Sequence, residues 1–127
     1  MAFTTQILED GHRNAQVLAV FTSAAADLAV SDLADPANFS PRPTQFRIDR
    51  IQYNVSQQLQ VQLFWDATAD VLIADLAGMH SLEAQDVGGL QNNAGAGKTG
   101  KIQVQTTGWA SGTQGFTLLL WLVKQGV

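Results

Sequence analysis

The sequence predicts an all-β chain, an antiparallel β-sandwich or jelly roll of about eight strands, on three observations. Two stretches alternate apolar and polar residues with a period of two, and two more are apolar on both faces yet only seven and eight residues long. Segments rich in Gly, Asp and Pro separate them. Short strands joined by such turns build a sandwich or a roll, and the strand order stays open at this level.

Along the chain, residues 3–8 form a first, weaker candidate strand, and residues 15–21 a run with both faces apolar. Residues 23–33 hold a short strand around 28–33 and the one stretch with any helical pattern, a turn or two that Asp35-Pro36 would stop. Residues 44–55 read as a strand in two phases, Phe46 and Ile48 in one and Ile51 and Tyr53 in the other; a bulge near Asp49-Arg50 reconciles them. In residues 58–65, Leu59, Val61, Leu63 and Trp65 share one face and three glutamines the other. Residues 71–76 and 81–87 are weaker candidates. Residues 101–106 repeat the glutamine alternation, and residues 116–123 are again apolar on both faces, as in a central strand with one side at a subunit interface.

A length of 127 residues fits a single domain, 1–127, with residues 1–9 as an N-terminal arm that adds a strand to a neighbour. Apolar residues make up 46% of the chain and charged ones 14%, against about 25% in an average soluble domain, so Gln, Thr, Ser and Asn must cover the exterior. Such a surface is cheaper to desolvate than one full of Lys and Glu, which suits contact with other proteins; an ordinary soluble domain of unusual composition fits equally well. The net charge of −4, with seven cations scattered from Arg13 to Lys124, offers no footprint for nucleic acid. There is no cysteine, hence no disulfide framework and no thiolate metal site. The start lacks a leader pattern, and the apolar runs fall far short of the ~20 residues of a membrane helix, so no membrane partner is expected.

Little in the sequence carries chemistry. Residues 92–99, Asn-Asn-Ala-Gly-Ala-Gly-Lys-Thr, end like a phosphate-binding loop, but Asn92 replaces the first glycine and a strand pattern follows where a helix must open. His12 and His80 lie in no nucleophile motif, and Asp66 and Asp70 suit a hairpin turn better than a calcium loop. No catalytic residue, metal ligand or cofactor site is assigned. Trp65 and Trp121 sit within strand patterns, as core or interface. Trp109, in Gly108-Trp109-Ala110-Ser111-Gly112, is either an exposed anchor, for a protein or a sugar, or a ring folded over the end of the core. Residues 88–100, with five glycines, are either a contact loop or a mobile connection.

Several blocks together are similar to a known family: residues 10–15, Asp-Gly-His-Arg-Asn-Ala; residues 46–53; Leu63-Phe64-Trp65-Asp66-Ala67-Thr68; the asparagine and glycine block 88–100; Thr106-Thr107-Gly108; and Phe116-Thr117-Leu118. They resemble short virion structural proteins of tailed bacteriophages over nearly the whole chain, the block 88–100 being the most specific. The resemblance implies a β-sandwich on the particle, a capsid decoration or cement protein that assembles as a homotrimer and binds the major capsid protein. A neck, tail or fibre-attachment protein would look the same. It implies localisation in the virion, assembled in the host cytoplasm, and transfers no catalytic residue. The candidate contact residues are Phe3, Ile7, Asn92, Asn93, Lys98, Trp109, Leu119 and Trp121.

Overall fold

The computed structural model describes residues 2–127. Nine strands form two antiparallel sheets packed face to face: β1 (Ala2–Asp10), β2 (Asn14–Ser23), β3 (Ser31–Ala34), β4 (Gln45–Val55), β5 (Gln60–Trp65), β6 (Val71–Leu76), β7 (Met79–Glu83), β8 (Ile102–Thr107) and β9 (Gln114–Gln125). The five-stranded sheet has the order β1-β2-β9-β4-β7, and the four-stranded sheet β3-β8-β5-β6. Pairings β2–β9, β3–β8, β4–β7 and β5–β6 are nested one inside the next. A long hairpin rolled up in this way is a jelly roll, and it leaves β1 as an added strand on the β2 edge.

Alternation decides which side chains enter the core. From the larger sheet come Val17, Phe21, Phe46, Ile48, Ile51, Leu118, Leu120 and Leu122; the smaller sheet adds Leu33, Val61, Leu63, Trp65, Ile102 and Val104. Gln60, Gln62, Gln103 and Gln105 point the other way, so the glutamine alternation reads the smaller sheet correctly. The two-phase reading of β4 also holds: its register against β9 shifts between Ile48 and Arg50, and this bulge returns both Ile48 and Ile51 to the core.

Two segments differ from the sequence reading. Residues 23–33 hold no helix; the Ser23 hydroxyl accepts from the backbone N–H groups of Ala25 and Ala26, which closes a local turn in place of a helical one. The strand expected over 81–87 is Met79–Glu83, and residues 85–87 form a short 3-10 turn. Of the expected arm 1–9, Met1 lies outside the described residues, and Ala2–Asp10 pairs along its length with β2 of its own chain.

One ion pair ties the ends of the chain together. The Lys124 side chain is fully buried, and its Nζ lies 2.6 Å from Asp10 Oδ1; the Ser40 backbone N–H donates to Asp10 Oδ2 at 3.1 Å. The Lys124 hydrogen bond holds the Asp10 carboxyl below the ordinary aspartate value. Folding therefore favours the ionised form. This stabilisation is complete above the ordinary value, about pH 4, and fades as pH falls through it toward the lower folded one. At pH 7, Asp10→Asn should melt about 5 °C below the wild type, because the buried ammonium loses its counter-charge. By pH 3 that gap should narrow; a gap equally wide at both pH values in thermal melts would show that the carboxylate charge is not what matters.

Candidate functional site

The outer face of the five-stranded sheet carries several apolar residues that the core does not take up, while Ile7, Val30, Leu72 and Val87 are exposed elsewhere. Cross-strand register arranges it in three rows. Gln16, Trp121, Arg50 and Glu83 form the first, Leu18, Leu119, Gln52 and Ser81 the second, and Val20, Thr117, Asn54 and Met79 the third. The neighbours of Leu119 along β9, Leu118 and Leu120, are wholly buried, whereas Leu119 and Trp121 are half-buried and turned outward. Both faces of β9 are therefore apolar, but only one meets the core.

A shallow groove of about 700 Å³ crosses this face, lined by Leu18, Leu119, Gln52, Arg50, Ser81 and Met79 among others. Its charges are matched internally. The Arg50 guanidinium stacks 4.6 Å from the centre of the Trp121 ring and lies 3.2 Å from Glu83; further along β4, outside the groove, Arg47 pairs with Asp49 at 2.8 Å. Met79 is 70% exposed at the margin, where an unbranched thioether adapts to whatever shape covers it. Chemically, the surface is suited to apolar contact bounded by amide and hydroxyl groups. Leu18, Val20, Gln52 and Met79 were not singled out from the sequence, because their proximity to Leu119 is a matter of register between distant segments.

The other predicted contact residues lie elsewhere. Phe3 faces the core side of β1 against Phe116, with ring centres 6.3 Å apart, and Ile7 is exposed further along the same strand. The loop 88–100 is pinned: Leu90 and Ile48 exchange backbone hydrogen bonds, and the Thr99 hydroxyl donates to Asp66 at 2.7 Å. Asn92 is buried, its Oδ1 accepting from the Ala94 N–H, so it shapes the loop and is withdrawn from contact; Asn93 and Lys98 remain exposed. After Lys98 comes β8 and no helix.

Trp109 is half-buried and packs on the core at the opposite end of the sandwich. Its backbone N–H donates to Asp27, and its indole N–H to the Gly112 carbonyl at 3.1 Å. The folded-over reading describes it. His12 lies in the turn between β1 and β2 at one edge of the larger sheet, and His80 on β7 at the other, so they form no pair. Among the described residues no group of three His, Cys, Asp or Glu is placed to hold a metal ion. Asp70 accepts from the Ala67 N–H at 3.0 Å, closing the β5–β6 turn.

No family model and no curated protein matches this sequence. Among solved structures, a cupin superfamily protein from Desulfitobacterium hafniense DCB-2 is similar over 94% of this chain and 76% of its own, at 11% identity and a TM-score of 0.35. That likeness is too slight to argue from, and the jelly roll stands on the strand pairing itself.

Proposed function

We propose that this chain is a structural protein of a tailed-phage particle, a capsid decoration or cement protein that covers part of the outer shell and stabilises it. One observation carries the reading: an outward sheet face with Leu18, Leu119 and Trp121 at its middle, on a chain with so few charges. A half-apolar face of this kind gains from being covered, and its surrounding amides lose little when dried. The family likeness of the sequence points to the same kind of partner. Fold alone does not, because jelly rolls serve many functions.

On this reading the chain is not an enzyme, and its partners are the major capsid protein, or another virion protein, and further copies of itself, expected as a trimer assembled on the shell. Modest affinity at each contact suffices, because many identical sites on a shell and several arms in an oligomer act together. A sugar-binding role resting on Trp109 loses its support, since that ring lies against the core with its N–H already bonded.

Imaging the particle that carries this chain tests the proposal. The sandwich should be found on the outer shell with Leu119 and Trp121 against a neighbouring protein. A particle without it, or one in which that face meets only solvent, contradicts the reading.

A further inference from the structure

Among the described residues the two sheets have four edges: β1 and β7 in the larger, β3 and β6 in the smaller. An edge strand presents unpaired N–H and C=O groups, and proteins keep such edges from pairing by shortness, charge, proline or bulges. Three edges here are protected. β7 has five residues and ends in Glu83, β3 has four and carries Asp32 paired with Lys101, and β6 has six and carries Asp75. β1 differs. It runs for nine residues, and Ala2-Phe3-Thr4-Thr5-Gln6-Ile7-Leu8 contains no charge, proline or glycine. The register shift and the carboxylates come only at its far end, from Ile7 to Asp10. All seven residues except Phe3 are exposed, Ile7 by 40% and Leu8 by 46%. β1 also stands outside the nested roll, so no core contact requires it to be the last strand.

We infer that the free edge of β1 pairs with β1 of a second copy, antiparallel about a two-fold axis at Thr5, joining two five-stranded sheets into one of ten. The order of residues along the strand selects this occupant. With the axis at Thr5, Phe3 meets Ile7 of the second copy on the core side, Thr4 meets Gln6 on the outer side, and Ala2 meets Leu8. Apolar side chains face apolar ones and polar face polar, the matching that stabilises cross-strand pairs. Among the described residues, Glu9 and Asp10 have no counterpart in this register. Moving the axis to Gln6 sets Phe3 against Glu9 and Ala2 against Asp10, and moving it to Thr4 sets Phe3 against Thr5. The alternation thus fixes the register as well as the partner. This contact uses the sheet edge, not the outer face, and pairs copies two by two. It stands independently of particle binding.

A residue on a two-fold axis faces itself, which gives a register-specific test. Thr5 is exposed, so Thr5→Lys and Thr5→Glu should fold as the wild type does, read by circular dichroism. Sedimentation velocity of the isolated chain, up to about 100 µM to reach the weak affinity of a small interface, reads the mass. The wild type should reach twice 13.6 kDa. Each charged variant alone should stay at the mass of one chain, because like charges meet at the axis, and an equal mixture of the two should return to twice that mass. A wild type that stays single, a Thr5→Lys variant that still pairs, or a mixture that does not recover each overturns the inference. Particle binding is read separately, so either proposal can fail while the other stands.

Discussion

The double variant Leu119→Glu, Trp121→Ala is expected to fold normally and to bind the particle at least about 100-fold more weakly than the wild type. Both side chains are half-buried on the outer face, with core-facing neighbours that the substitutions leave alone. Stability should fall by no more than about 2 kcal/mol, most of it from the lost contact between Trp121 and the Arg50 guanidinium. In a complex the same positions would lie at the middle of the covered face. Removing one aromatic anchor there costs about 2–4 kcal/mol, and drying an unpaired carboxylate beside it costs more. A folded double variant that bound particles as tightly as the wild type would remove this face from the contact.

Gly100→Val should have a comparably large effect on folding. Gly100 is buried with φ at +85°, and a Cβ there would overlap the Thr44 carbonyl oxygen and lie 3.0 Å from its carbon. The left-handed backbone alone costs a side chain about 1–2 kcal/mol. Here the obstacle is backbone, which has no rotamer to move to, so the loop 88–100 and the approach to β4 must separate. The total, about 3–5 kcal/mol, is a large part of the ~5–15 kcal/mol that holds a domain together. Little soluble protein, or a melting point lower by about 10 °C or more, is expected. Gly88→Ala is the control: Gly88 has φ at +88° but nothing within 4 Å of a Cβ, so it should lose only about 1 kcal/mol. Equal losses at the two positions in chemical denaturation would mean that the close approach to Thr44 is unimportant.

Sequence made the strands legible wherever one face meets water. Gln60, Gln62, Gln103 and Gln105 mark the outer surface of the smaller sheet so regularly that Val61, Leu63, Ile102 and Val104 can only face inward. The bulge in β4 was also legible, as two hydrophobic phases that no straight strand accommodates. Where both faces are apolar, as in β9, alternation cannot say which side meets the core, and only the pairing with β2 and β4 does. The rows across the outer face were hidden for the same reason: Leu18 and Leu119 are opposite one another because of the nested order, which no local pattern encodes. Lys124 was hidden more deeply. It reads as an exposed cation near the end of a strand, yet Asp10, 114 residues away, makes its burial possible. Trp109 and the loop 88–100 were left open by sequence, since a glycine-rich turn looks alike whether or not its backbone groups find partners. The Asp27 carboxylate accepts from the Trp109 N–H, and the Asp66 carbonyl from the Thr99 N–H.

Everything proposed for the function requires that the apolar outer face be a surface for other proteins. The direct measurement is a co-sedimentation titration of the purified wild-type chain with particles made without it. Binding should saturate at a fixed number of copies per particle. If the chain stays in the supernatant at every concentration tried, this surface is not a docking face for the particle.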